Sequence, residues 1–133
     1  MKRLLTIAVL ALSSEPAVAG WVALDDRYQS PGLQTVYVDP TAMQREGNRV
    51  TIWQLTDYTW MQGSRKMLRF LSTTTQKQFN CAAKRLRVLA FTQFSRRMGT
   101  GTPLNGYVDR DQWRPVEPEG IDHALWELAC RKP

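Results

Sequence analysis

The sequence is poor in the residues that form metal and catalytic centres. Its 133 residues include one histidine and two cysteines, and the cysteines lie far apart in the chain, at positions 81 and 130. A structural zinc site takes about four nitrogen or sulfur ligands at short spacings. The redox motif CxxC and the nucleophile motif GxSxG are both absent from the sequence. We therefore expect no metal, no cofactor and no enzymatic activity.

Long apolar runs are also scarce, and the one at the start is short. The chain begins with Met1-Lys2-Arg3, continues through the apolar residues 4–12 and reaches Ala17-Val18-Ala19 directly before Gly20. A short basic start, an apolar run below the ~20 residues of a membrane helix and small residues at its end are typical of a signal peptide. The alternative is a buried N-terminal strand or helix. We predict a signal peptide over residues 1–19, cleaved after Ala19, and a single domain over residues 20–133.

The signal peptide predicts an exported product, and the rest of the chain predicts no transmembrane segment. No later stretch approaches the roughly 18 consecutive apolar residues that a membrane helix needs. No cysteine stands near the predicted cleavage point, where a lipid could be attached. We expect the mature protein to be periplasmic or secreted.

The two cysteines are predicted to form a disulfide. An exported chain passes through an oxidising compartment, where an even and minimal cysteine count is most simply one bridge. A bond between Cys81 and Cys130 would close a loop of about 50 residues, which the chain-entropy model values at about 4 kcal/mol. The alternative is a pair of reactive thiols, for which no redox motif is present.

The hydrophobic pattern predicts an α+β fold. β-Branched and aromatic residues favour strands near residues 21–24, 35–38, 49–58, 66–79 and 84–95. Between the second and third strands, Asp39 and Pro40 are typical of the start of a short helical turn, which we expect Gly47 to end. The last element is a helix, because its apolar residues recur at helical spacing and form one stripe that must lie on a sheet. These residues are Ile121, Ala124, Leu125, Leu128 and Ala129.

The most informative polar feature is a group of cations on the predicted strand 84–95 and just after it. Strict alternation would place Leu86, Val88, Ala90, Thr92 and Phe94 on one face of this strand and Arg85 and Arg87 on the other. Further cations, Lys66, Arg69 and Lys77, fall on the preceding strand. The candidate partner-binding residues are Lys84, Arg85, Arg87, Arg96 and Arg97.

A basic surface of this kind fits a protein partner with an acidic surface, an anionic glycan or an anionic lipid. Nucleic acid fits the same charges, but export argues against it, so we expect no nucleic acid partner. The alternative is that the cations protect a sheet edge and keep the protein soluble.

Two other functions stay open. A periplasmic enzyme inhibitor or accessory factor would use a protruding loop such as residues 98–107. A small hydrolase would need a base, and His123 is the only histidine; however, a lone helical histidine is more often a surface residue.

Several motifs in order along the chain resemble the surface-adhesin protein E-like domain of exported bacterial proteins. They are Tyr37-Val38-Asp39-Pro40, Gly47-Asn48 before the strand of Trp53, Leu55 with Asp57-Tyr58, Asn80-Cys81, Met98-Gly99-Thr100-Gly101, Trp113-Arg114-Pro115-Val116, and Cys130 in the closing helix. Each motif is weak alone, but the ordered set spans essentially the whole mature chain.

The resemblance implies an antiparallel sheet of about five to six strands, arranged as a meander and packed by a C-terminal helix. It also implies that Cys81 and Cys130 are bridged, and it allows a homodimer. The implied role is binding or adhesion without catalysis, with extracellular matrix proteins as the partner class. We expect a protein partner from the extracellular matrix or the cell envelope. Unlike the adhesin that gives the family its name, this chain has no lipid-accepting cysteine after its leader.

Overall fold

The computed structural model describes residues 20–30, 32–64 and 69–131, so the predicted signal peptide and Lys66 lie outside the described residues. Within these ranges the chain forms eight β-strands and one α-helix. The strands are β1 (Val22–Ala23), β2 (Gln34–Val38), β3 (Gln44–Glu46), β4 (Arg49–Gln62), β5 (Phe70–Asn80), β6 (Arg85–Phe94), β7 (Pro103–Asn105) and β8 (Arg114–Pro115). The helix, α1, spans Ile121–Cys130, as the apolar stripe predicts.

The strands form one antiparallel sheet in the order β1-β2-β4-β5-β6-β7. Two short strands extend it: β3 pairs with the start of β4, and β8 pairs with the start of β6. The long strands β4, β5 and β6 therefore form the centre. The predicted antiparallel α+β fold is confirmed. The described sheet has more strands than the five to six expected, because β3 and β8 are too short to give a pattern.

The segment between β2 and β4 differs in part from the prediction. As expected, Asp39 caps a helical turn, Pro40–Ala42, and its Oδ1 accepts a hydrogen bond of 3.0 Å from the Thr41 amide. Gly47 does not end this turn. It lies in the hairpin between β3 and β4 at φ 62°, a left-handed conformation that glycine adopts without strain.

One face of the sheet packs against α1 and forms the core. Register places Val50 opposite Phe79, and Phe79 opposite Leu86, so these side chains share that face. Leu125 of α1 is fully buried against it. The buried apolar residues of this core are Leu24, Val36, Val38, Val50, Ile52, Phe79, Leu86, Val116, Ala124, Leu125 and Ala129.

The opposite face is partly covered by a short helical turn, Arg97–Gly99. Leu55, on this face, has no exposed surface. The Met98 amide donates to Asp57 Oδ1 (2.8 Å), and the Gly99 amide donates to Ser72 Oγ (2.9 Å). These bonds hold the turn over β4 and β5.

A β-bulge changes the alternation of β6 at Leu89. Lys77 of β5 lies opposite Val88, but its neighbour Gln76 lies opposite Ala90, so Leu89 has no partner across the pair. Leu86 and Val88 consequently face the core, whereas Ala90, Thr92 and Phe94 face the other side. The prediction of one continuous face for these five residues is wrong, because an inserted residue exchanges the two faces beyond it.

The disulfide joins the end of α1 to the turn between β5 and β6. Cys81 and Cys130 are bonded, with their Cα atoms 5.5 Å apart. The described residues contain no free cysteine. The predicted single disulfide is thus present, and it attaches the helix to the sheet at its C-terminal end.

Candidate partner-binding surface

The structure divides the five predicted cations between the two ends of β6. Lys84, Arg85 and Arg87 lie at its start, whereas Arg96 and Arg97 follow its end. A strand of ten residues extends roughly 30 Å at about 3.3 Å per residue. The five residues therefore do not form a single patch.

At the far end, Arg97 holds the covering turn in place. Its Nη1 lies 3.5 Å from Asp57 Oδ2, and its Nη2 donates to the carbonyl oxygen of Thr59 at 3.0 Å. Arg96 is exposed, and its carbonyl oxygen accepts a hydrogen bond from Ser72 Oγ (2.6 Å). The contacts of Arg97 are thus intramolecular and support the sheet.

Lys84 belongs to the helix side of the molecule. It lies in the turn before β6 at φ 53°, and its carbonyl oxygen accepts from the Val116 amide at 3.2 Å. Its Nζ lies 4.8 Å from the centre of the Trp126 ring, on α1. Register instead places Arg85 and Arg87 on the face of the sheet opposite the helix.

Two arginines of that face contact the same tryptophan. The Cζ atoms of Arg87 and Arg49 lie 4.6 and 5.4 Å from the centre of the Trp113 ring. Arg85 lies in the same cross-strand row as Arg49, with Asn80 between them. We call Arg49, Arg85, Arg87 and Trp113 the arginine–tryptophan face.

Hydrogen bonds fix the central guanidinium of this face. Arg87 Nε donates to Gln78 Oε1, and Arg87 Nη1 donates to the carbonyl oxygen of Arg110, both at 3.0 Å. Neither acceptor carries a charge. Among residues 20–30, 32–64 and 69–131, no ion pair involves Arg49, Arg85 or Arg87. The positive charge of the face is therefore not neutralised by a carboxylate of the described chain.

The chemistry of this face suits carboxylate or sulfate groups. A guanidinium presents its donors in a planar fork that matches the oxygens of a carboxylate, and charge-assisted hydrogen bonds of this kind are about twice as strong as neutral ones. The indole of Trp113 interacts favourably with the guanidinium groups of Arg49 and Arg87. The arrangement is therefore chemically compatible with an anionic group.

The sequence predicts Arg85 and Arg87 as candidate binding residues, but it gives no reason to add Arg49 and Trp113. Arg49 begins β4, which is far from β6 in the chain, and Trp113 lies in an irregular segment with no periodicity. Only the tertiary fold brings them together. The register of the central strands would have revealed this grouping, but a single sequence does not supply the register.

The other predicted functional residues lie elsewhere. The ring of His123 is 6.1 Å from that of Trp126 on the same helix. The proposed protruding loop, residues 98–107, contains β7, which pairs with the end of β6. Tyr107, at the end of this loop, is 91% exposed.

Lys77 is withdrawn from the surface into a network that attaches α1 to β5. Its Nζ lies 2.6 Å from Asp122 Oδ1, and Arg114 Nη2 lies 3.1 Å from Asp122 Oδ2. Burial lowers the pKa of Lys77, although Asp122 opposes this shift. Burial alone would raise the pKa of Asp122, but Lys77 and Arg114 outweigh it and lower the pKa below its ordinary value. This network joins α1 to the sheet and does not belong to the arginine–tryptophan face.

No helix in the described part of the chain is long and apolar enough to cross a membrane. The antiparallel sheet, its single covering helix and the disulfide define a small disulfide-bonded α+β domain with a basic face. The chain belongs to the surface-adhesin protein E family, whose model matches residues 21–131. It is therefore an adhesion module of an exported family, which agrees with the resemblance seen in the sequence.

Solved structures of Haemophilus influenzae protein E have the same fold. The selenomethionine form is similar with a TM-score of 0.66 and 12% identity, over 86% of this chain and 88% of that one. A second structure gives a TM-score of 0.65 at 12% identity, over 86% of each chain. A further crystal form gives 0.62 at 12% identity, over 82% of this chain and 95% of that one. The comparison with curated proteins found no match.

Proposed function

We propose that this protein is an exported, non-enzymatic adhesion module that binds an acidic surface of a protein partner through the arginine–tryptophan face. One observation carries the proposal. Two guanidinium groups lie within 5.4 Å of the centre of one indole ring, and neither is paired with a carboxylate of the described residues. Membership of an adhesin family supports a binding role.

The physical basis is preorganisation. Ordering a long side chain on binding costs about 0.5–1.5 kcal/mol, and Arg87 is already held by Gln78, the Arg110 carbonyl and Trp113. A partner carboxylate would meet donors that are already oriented. Tryptophan and arginine are also the residues enriched among those that dominate binding energy in protein interfaces.

This proposal narrows the set expected from sequence. Arg85 and Arg87 stay as candidate binding residues, and Arg49 and Trp113 join them. Lys84 lies against the helix, Arg97 is paired with Asp57, and Arg96 lies at the opposite end of β6. We assign these three no part in the primary contact. Two expectations stay predictions: that the partner is a matrix or envelope protein, and that the protein forms a homodimer.

The test uses charge reversal at matched positions in the oxidised domain, residues 20–133. Binding of a fluorescent peptide of ten glutamates and of heparin is measured at 50, 150 and 300 mM NaCl. Arg49→Glu with Arg85→Glu should weaken peptide binding at least tenfold, and Trp113→Ala should weaken it several-fold. The control, Arg27→Glu with Arg96→Glu, carries the same change of charge at exposed positions elsewhere and should weaken binding less than threefold.

The outcomes separate the alternatives. Equal losses in both charge-reversed proteins would show non-specific attraction and overturn the assignment of the site. If the domain binds heparin but not the peptide, and the same variants lose heparin binding, the partner is an anionic glycan and not a protein. Wild-type binding that weakens as the NaCl concentration rises from 50 to 300 mM would support electrostatic recognition, because exposed charges are screened by salt.

A further inference from the structure

Asp39 is a buried carboxylate for which the described residues supply no cation. The residue is 6% exposed. Oδ1 accepts hydrogen bonds from the Thr41 amide (3.0 Å) and from Thr41 Oγ1 (2.6 Å). Within residues 20–30, 32–64 and 69–131, no cationic side chain forms an ion pair with it. These hydrogen bonds from neutral donors offset part of the cost of burying the charge, and a cation at the same carboxylate would offset more of it.

The second oxygen of Asp39 is directed at the start of the predicted mature chain. The backbone nitrogen of Gly20 donates to Asp39 Oδ2 at 3.3 Å. The approach is close, since a Cβ atom on Gly20 would lie 3.3 Å from Asp39 Oδ1 and 3.5 Å from Thr41 Oγ1. Gly20 is the residue that follows the cleavage point predicted from Ala17-Val18-Ala19.

We propose that cleavage after Ala19 supplies this counterion: the new α-ammonium group of Gly20 pairs with the Asp39 carboxylate. In this step a signal peptidase hydrolyses the Ala19–Gly20 peptide bond with one water molecule. The C–N bond breaks, the water oxygen enters the Ala19 carboxylate, and the Gly20 nitrogen becomes an amine that is protonated at neutral pH. The neutral amide donor of the precursor thereby becomes a cation at the same position.

The consequence is a domain that gains stability when it is processed. In the precursor, the Asp39 carboxylate accepts a hydrogen bond from the neutral amide of Gly20. In the mature protein the donor is itself charged, so the same contact becomes an ion pair between opposite charges. Extra residues before Gly20 would remove this gain, because they move the terminal charge away from the carboxylate.

The experiment compares chains that differ only at their start. The first chain begins at Gly20 and is released from a fusion protein by a protease that leaves this glycine as the first residue. The second chain retains Val18-Ala19, and the third begins at Gly20 but is acetylated. Each is also made with Asp39→Asn, because asparagine can still cap the turn at Thr41 but carries no charge. Thermal unfolding at pH 7 gives the melting temperature.

The native start should melt about 4 °C higher than both the extended and the acetylated chain, and the difference should fall below 1 °C in the Asp39→Asn proteins. Equal melting temperatures for the three starts, or a difference that persists with Asp39→Asn, would overturn the proposal. If the Asp39→Asn proteins fail to fold, the difference in melting temperature between the native and the acetylated start decides whether the proposal holds. An exported product whose intact mass corresponds to a start other than Gly20 would overturn it as well.

Discussion

Lys77 Nζ lies 2.6 Å from Asp122 Oδ1, and this ion pair joins the middle of β5 to the first turn of α1. The side chains are 10% and 22% exposed, so both charges are largely removed from water. Removing one partner of such a pair leaves the other charge buried and unpaired, which typically costs 3–5 kcal/mol. The pair is therefore one of the contacts between helix and sheet, together with the disulfide and the apolar core.

We expect Asp122→Asn to lower the free energy of unfolding by about 3 kcal/mol in urea titrations at pH 7. Lys77→Met in the Asp122→Asn background should recover part of the loss, because it removes the unpaired charge. The matched control is Asp25→Asn, since Asp25 is exposed and its pair with Arg27 is 4.0 Å long; it should change stability by less than about 0.5 kcal/mol. A loss equal to that of the control would contradict this prediction.

The carboxylate of Asp122 should make the free energy of unfolding depend on pH in the acidic range. The pKa of Asp122 is lowered from its ordinary value of 3.8 by Lys77 and Arg114, against the effect of burial. A lowered folded-state pKa means that the stabilisation is present above about pH 4 and is lost as the pH falls through the folded-state value. The difference in unfolding free energy between wild type and Asp122→Asn should thus shrink between pH 5 and pH 2. A constant difference across this range would show that the charge of Asp122 is not responsible.

Local sequence patterns were sufficient for the long strands and the helix, but not for the short strands β3 and β8 or for every detail of the sheet. The stripe from Ile121 to Ala129 predicts α1 because helical spacing is a local property. The bulge at Leu89 has no such signal, since Val88, Leu89 and Ala90 are all compatible with either face. Its position depends on how β5 pairs, which is a tertiary effect.

The candidate site was harder to predict from local sequence patterns than the sheet was. Arg85 and Arg87 stand out because they alternate on a predicted strand, and register confirms that they share a face. Arg97 carries the same charge, but it is paired with Asp57, a residue 40 positions earlier on β4. Charge is visible in the sequence, whereas the partner that neutralises it is not.

The disulfide is predicted to supply a large share of the stability. It closes a loop with a sequence separation of 49 between Cys81 and Cys130, for which the chain-entropy model gives about 4 kcal/mol. The Cys81→Ala, Cys130→Ala double variant should therefore unfold at lower urea concentration, with a free energy reduced by about 3–4 kcal/mol. The comparison is wild type reduced with dithiothreitol. Alkylation counts its free thiols and so verifies the reduction. A reduced wild type that keeps its full stability would refute this expectation.

Gly101 is predicted to be intolerant of a side chain for two independent reasons. It lies at φ 89°, and an added Cβ would collide with Ser95 Oγ and lie 3.0 Å from the Arg96 amide nitrogen. Ser95 Oγ already accepts a hydrogen bond of 2.8 Å from the Thr102 amide, so it has little freedom to move. Gly47 separates the two effects, because it lies at φ 62° with nothing within 4 Å of its added Cβ. Gly47→Ala should cost about 1 kcal/mol from conformation alone, and Gly101→Ala about 3 kcal/mol once overpacking is added. Urea unfolding of both variants measures this difference, and equal losses would show that the loop after β6 yields to relieve the collision.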